Sequence, residues 1–201
     1  MKLNNQIVKG LIVVFFALFG IVQTQAQVTF RPGLRGGANF SHFTKGDYYY
    51  SNNASNNVDY GTHTDFYLGF YGALKLSKFY TLQPEINYSA QGSDYRSSNF
   101  GSANFKVDYL QFGVVNKFTF NDQFNVHLGP TLDFVVSKNF NTEADVDMAF
   151  VLGAGFNFTP NFGIEARVKK GIIPVFYSDD DNTDHTNVVF SLGATYTFDV
   201  K

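Results

Sequence analysis

The chain has 201 residues, a formal net charge of −2 and no Cys. Lack of Cys excludes a disulfide framework, a thiolate metal site, a Cys nucleophile and a lipidated N-terminal Cys, and the slight acidic balance leaves no electrostatic footprint for nucleic acid. Its 24 Phe and 12 Tyr stand beside only 16% charged residues, where soluble domains carry roughly a quarter.

The N-terminus reads as a targeting segment. Lys2 and Lys9 supply a positive region, Leu11 to Val22 is an uncharged apolar run, and Thr24-Gln25-Ala26 is a small-x-small cleavage site. The run is shorter than the ~18 apolar residues of a membrane-spanning helix. Residues 1–26 are therefore expected to be a signal peptide cleaved after Ala26, with 27–201 as one domain. The competing reading is an uncleaved anchor helix. No later stretch is long and apolar enough for a membrane helix, so membrane integration would have to use strands.

From Thr29 onward the dominant period is two, the signature of strands whose successive side chains point to opposite faces. Arg31 to Phe43 sets Leu34, Ala38 and Phe40 against Arg35, Asn39 and Ser41. Asp65 to Leu76 sets Phe66, Leu68, Phe70 and Leu74 against Tyr67, Gly69, Tyr71 and Lys75. Thr81 to Gln91 sets Leu82, Pro84, Ile86 and Tyr88 against Gln83, Glu85, Asn87 and Ser89. Lys106 to Phe120, Phe124 to Val136, Met148 to Phe158, Phe162 to Ile172 and Asn187 to Phe198 repeat the pattern. These are about eight strands. Most are near the ~9–11 residues that a tilted membrane-crossing strand needs.

The connections alternate in length. Those near Ser77-Lys78, Asn121-Asp122 and Pro160-Asn161 are tight; those at Thr44–Thr64, Gly92–Asn104, Asn139–Asp147 and Pro174–Thr186 are long and polar. Sorting of short turns to one end and long loops to the other is the habit of outer-membrane barrels. The expected fold is all-β: an eight-stranded antiparallel up-and-down transmembrane β-barrel with short periplasmic turns and long extracellular loops.

Volume decides which face points in. Eight strands enclose a narrow interior, and the dense Phe and Leu face would overfill it. That face is expected to meet lipid, with the small and polar face inside. The inward charges are then Arg35, Lys75, Glu85, Lys117, Asp133, Glu165, Arg167 and Lys169. Both signs are present, and a charge in a low-dielectric interior is costly unless paired. An ion-pair network plugging the lumen is expected, a structural filling rather than a solute path.

Asp179-Asp180-Asp181-Asn182-Thr183-Asp184 clusters oxygen ligands that suit Ca²⁺, with Asp179, Asp181 and Asp184 as candidates. The run lacks the Gly and distal Glu of an EF-hand loop, so a solvated acidic loop is the favoured reading. No cofactor is implied. The four His form no i, i+4 zinc pair, and no Gly-x-Ser-x-Gly occurs. The first long loop carries Tyr48-Tyr49-Tyr50 followed by Ser and Asn, a composition seen in adaptable binding surfaces.

Gly33-Leu34-Arg35-Gly36-Gly37-Ala38-Asn39-Phe40-Ser41 and Leu82-Gln83-Pro84-Glu85-Ile86-Asn87-Tyr88-Ser89-Ala90-Gln91-Gly92 resemble the opening strand and the most recognisable segment of the PorT-like outer-membrane β-barrel family of the Bacteroidota. Tyr109-Leu110-Gln111-Phe112, Leu128-Gly129-Pro130 and Glu165-Ala166-Arg167 extend the similarity over most of the chain. The resemblance implies an outer-membrane location, outer-membrane lipid and the barrel-assembly machinery as partners, and a link to a secretion-system or surface protein. Two other readings stay open: a soluble exported lipocalin-like barrel with its apolar face inside, and a lipid-modifying barrel enzyme. Intact-mass measurement of the protein from isolated membranes should place the mature N-terminus at Gln27. A chain still beginning at Met1 would make residues 1–26 an anchor.

Overall fold

The computed structural model describes residues 28–44, 58–97, 101–121, 123–142, 144–178 and 183–200. The expected signal segment, Tyr48 to Asn57 of the first loop, and Asp179 and Asp181 lie outside these residues. The strands are β1 (Thr29–Phe43), β2 (Val58–Lys75), β3 (Tyr80–Ser97), β4 (Gly101–Thr119), β5 (Phe124–Lys138), β6 (Val146–Asn157), β7 (Phe162–Gly171), β8 (Phe176–Ser178), β9 (Thr183–His185) and β10 (Asn187–Thr197).

Eight of them close into one antiparallel barrel in the order β1-β10-β7-β6-β5-β4-β3-β2. The short β8–β9 hairpin stands apart in the last long connection. The closing seam pairs β1 with β10 from Gly33↔Thr197 to Phe43↔Asn187. Strands approach closely there: a Cβ on Gly37 would run into the Leu192 carbonyl, and one on Gly193 into the Gly36 carbonyl. At the seam's short-turn end Arg31 donates to Asp199 Oδ1 at 2.6 Å and to the Phe198 and Pro160 carbonyls at 3.3 Å. One guanidinium thus ties the first strand to the last and to the β6–β7 turn.

The three short turns share one chemistry. Ser77 Oγ accepts from the Phe79 and Tyr80 amides, Asn121 Oδ1 from those of Gln123 and Phe124, and Thr159 Oγ1 from those of Asn161 and Phe162. Short polar side chains bonded to backbone two and three residues on are local turn-makers. Flanking rings stack across two of these turns, Phe120 on Phe124 at 6.0 Å and Phe158 on Phe162 at 5.9 Å.

The two faces are inverted relative to a water-soluble domain. Phe66, Phe70 and Leu152 are 54%, 66% and 55% exposed on the outside, while Glu85 and Asp133 are 3% and 0% exposed inside. This corrects the lipocalin-like alternative, which requires the apolar face within. The loop boundaries also need correction. Gly92–Asn104, read as a long loop, is mostly strand: β3 and β4 stay paired out to Ser97↔Gly101. Residues 58–64 of the first loop likewise belong to β2. Polar alternation without an apolar face hides such strands from a hydrophobic-period reading.

Leu152 points outward midway along β6. Arg at the bilayer midplane costs about 2–4 kcal/mol, and little near the interface. Leu152→Arg should therefore sharply reduce the fraction of chain showing a heat-dependent mobility shift on a denaturing gel, and Phe120→Arg, beside a short turn, should not.

Candidate functional site

The strand alternation brings Arg35 of β1, Glu85 of β3, and Glu165 and Arg167 of β7 to one level of the lumen. Arg167 forks onto Glu85 with two bonds of 2.8 Å. It also reaches Glu165 Oε2 at 2.9 Å. Arg35 reaches Glu165 Oε1 at 2.7 Å through Nε and Glu85 Oε2 at 3.0 Å through Nη1. Each arginine thus touches both carboxylates, and the four formal charges cancel. Neutral side chains take up the rest: Gln83 donates to Glu85 at 2.7 Å, Tyr67 to Glu165 at 3.2 Å, and Asn87 accepts from Arg35 at 3.2 Å. The Arg35 guanidinium lies 4.7 Å from the Tyr67 ring centre. All four charged residues are at most 5% exposed. Bidentate pairing is the strong geometry for such groups.

Further toward the long-loop end Lys169 pairs with Asp133, and Gln111 donates to the same carboxylate oxygen at 2.8 Å. Above that, Asn39 donates to Ser89 Oγ at 2.9 Å and accepts from Ser191 Oγ at 2.8 Å. Asn187 bonds to Gln91. The outer end is closed by a cluster of three rings, Phe43, Phe105 and Phe140, with centroids 5.3 to 6.5 Å apart, packed where Phe43 and Val107 are fully buried. Among the described lumen side chains lies a cavity of about 30 Å³, lined by Arg35, Glu85, Arg167 and Lys169 among others. By that measure it has room for no more than a few waters, so the lumen is packed at this level.

Of the eight inward charges expected, Arg35, Glu85, Glu165 and Arg167 meet in one cluster, and Asp133 and Lys169 in a pair. Lys75 and Lys117 do not join them. Lys75 is exposed at the short-turn end of β2 and Lys117 is half-buried; among the described residues neither has a carboxylate at ion-pair distance. Asp147 is an inward charge outside the expected eight. It lies opposite Asp133 across β5–β6, 5% exposed, and accepts from the Ile173 amide at 3.1 Å. Its signal was present, since Asp147 continues the inward alternation of β6 by one step beyond Ala149. Asp184 falls in β9. Among the described residues no group of three His, Asp or Glu could hold a metal ion.

At the long-loop end β2, β3 and β4 run 18, 18 and 19 residues, against 10 to 15 for the other barrel strands. Their surplus projects past the rim as a three-stranded blade. Its base is fixed by His63 Nδ1 to Asp94 Oδ1 at 2.9 Å and by Ser41 Oγ, which bonds both the amide and the carbonyl of Gly92. At the end of β5 Lys138 donates to Asp145 at 2.7 Å and thereby holds that carboxyl below its ordinary range.

The profile of the outer membrane protein beta-barrel domain family matches residues 25–177. No curated protein sequence matches the chain. Among solved structures, Neisserial surface protein A is 15% identical over 83% of this chain and 97% of that one, with a TM-score of 0.51. Ail, the attachment invasion locus protein of Yersinia pestis, is 19% identical over 84% and 99%, with a TM-score of 0.48. OprG from Pseudomonas aeruginosa is 11% identical over 89% and 100%, again at 0.48. Identities this low speak to fold alone.

Removing one partner from a buried ion cluster strands a charge and costs about 3–5 kcal/mol. Arg167→Met should therefore lower the temperature of the heat-dependent gel shift markedly, while replacing Arg35, Glu85, Glu165 and Arg167 together with apolar residues should restore much of the loss.

Proposed function

The chain belongs to the outer membrane protein beta-barrel domain family, and on that premise we propose that it is a non-enzymatic barrel acting as scaffold, anchor or surface-binding protein through its long-loop end. The observation that carries this reading is the packed lumen: a neutral Arg–Glu cluster, further polar layers and a three-ring cluster at the outer end, with a cavity of only about 30 Å³ among the cluster's side chains. With the interior closed, the surface left for function is the outer rim and the blade above it. Glu85 and Glu165 are engaged by both arginines, which leaves neither carboxylate free for acid–base work and weighs against a lipid-modifying enzyme.

In this reading residues 1–26 direct export and are removed after Ala26. The barrel-assembly machinery inserts the barrel with its short turns in the periplasm and its long loops outside. The opening-strand and Leu82–Gly92 similarities support a PorT-like, Bacteroidota lineage and with it a link to secretion. The acidic run with Asp179, Asp181 and Asp184 is assigned to solvated loop and not to a Ca²⁺ site. The inward charges rigidify the wall.

Two measurements test the proposal. Purified barrel in a planar bilayer should give no unit conductance above the bare bilayer; steady unit steps would overturn the closed-lumen reading. Cells carrying the chain should adhere to neighbouring cells better than a deletion strain, and excision of residues 45–57 and 98–100 should abolish the difference while keeping the heat shift. Equal adhesion with and without the chain would remove the surface role.

A further inference from the structure

The blade has two edges, and they are not equivalent. β1 last pairs with β2 at Ser41↔His63, and β5 last pairs with β4 at Val107↔Lys138. Beyond those points β2, β3 and β4 pair only with one another, out to Val58↔Ser97 and Ser97↔Gly101. On the β4 side, Asn139 imitates a neighbouring strand. Its Oδ1 accepts from the Lys106 amide at 2.8 Å, its Nδ2 donates to the Asn104 carbonyl at 2.8 Å, and its own amide donates to the Lys106 carbonyl at 3.2 Å. Even-numbered residues of β4 therefore face that edge and odd-numbered ones face β3. Carried through the register, Val58, Tyr60 and Thr62 turn their backbone N–H and C=O groups away from β3, while Gly61 faces it, as the bond from Ser93 Oγ to the Gly61 carbonyl at 3.1 Å requires.

Among the described residues nothing pairs with that β2 edge. It is about 17 Å long at the rise of a strand, and residues 58–62 contain no Pro and no Lys, two devices by which edges are usually blunted. We infer that the β2 edge at Val58–Thr62 is a docking site for an extended polypeptide segment of another protein, which joins the blade as an additional antiparallel strand. This inference rests on the surface-binding reading above. Strand addition draws its affinity from main-chain hydrogen bonds.

A second copy of the chain fits the edge less well. β2 and β4 both run from the long-loop end toward the membrane, and two copies in one membrane share that direction. Either edge of a neighbouring copy would meet β2 in parallel, the weaker arrangement per residue. A segment that does not belong to a membrane-bound barrel is free to run antiparallel.

The test uses the full mature chain in nanodiscs and a dye-labelled synthetic peptide with the sequence of residues 91–97, the stretch that already pairs antiparallel with β2 on its other side. Anisotropy should report saturable binding, and amide exchange at Val58, Tyr60 and Thr62 should slow when the peptide is added. Pro is tolerated at an edge position whose N–H faces solvent, so Tyr60→Pro should keep the heat shift yet weaken binding at least tenfold, while Ser102→Pro on the opposite edge leaves binding unchanged. Absence of binding, equal binding by Tyr60→Pro, or edge amides already protected without peptide, as occupancy by the chain's own residues 45–57 would produce, each overturns the inference. Peptide-independent dimers that Tyr60→Pro abolishes would assign the edge to a second copy and overturn it too. In the adhesion assay, Tyr60→Pro cells that adhere like wild type overturn the edge alone. Wild-type cells no more adherent than the deletion strain remove the surface role instead.

Discussion

Closure of the β1–β10 seam is the constraint on which the rest depends. A membrane offers the backbone no hydrogen-bonding solvent, so a strand-built span must leave no open edge within the bilayer. The sequence meets that demand at particular places. Gly37 and Gly193 let the first and last strands approach, and Arg31 clamps the strand ends together. Once the ring is closed, every residue of a strand has only two destinations, lipid or lumen, and period-two alternation follows along the whole chain.

Eight strands make the second demand. The enclosed space is narrow, so the charges that point inward must find their partners within it. An apolar filling would serve stability at least as well, since buried ion pairs are weak stabilisers. What the Arg35, Glu85, Glu165 and Arg167 cluster provides is register. A one-residue slip of any strand reverses its faces, carrying Glu85 to lipid and Ile86 to the lumen. The cluster draws on β1, β3 and β7, separated in sequence by 50 to 130 positions, so it reports on closure and register together.

This arrangement was largely legible in the sequence, because a wall between lipid and a narrow lumen imposes the simplest of all patterns. The strands could be read from alternation, and the direction of their faces and the inward charges from alternation together with the narrow interior of eight strands. Three features could not. The recurrent turn, with Ser77, Asn121 or Thr159 capturing two following amides and an aromatic after it, lies in the sequence as a repeat too short to notice without its hydrogen bonds. Asp147 was hidden because it sits where β6 begins, in a stretch read as loop. The outer parts of β2, β3 and β4 lack an apolar face, since they stand clear of lipid, and so carry no hydrophobic period to read. Conversely, Lys75 and Lys117 share the inward parity yet stand outside the ion pairs. Parity fixes the face of a residue, not its height in the barrel.

The difference in strand length carries the last step. Crossing the bilayer needs ~9–11 residues, and β7 and β10, with 10 and 11, stop there. β2 to β4 continue through seven to nine further residues, in which lipid no longer rewards an apolar face. Such an extension keeps its shape only if something other than burial orders it. Here Ser41 holds Gly92, His63 holds Asp94, and Asn139 covers the β4 edge at Asn104 and Lys106. These contacts brace the base of the blade and one of its sides. The same extension that escapes the closure rule therefore presents backbone hydrogen-bonding groups outside the membrane, and along the β2 edge from Val58 to Thr62 no described residue satisfies them.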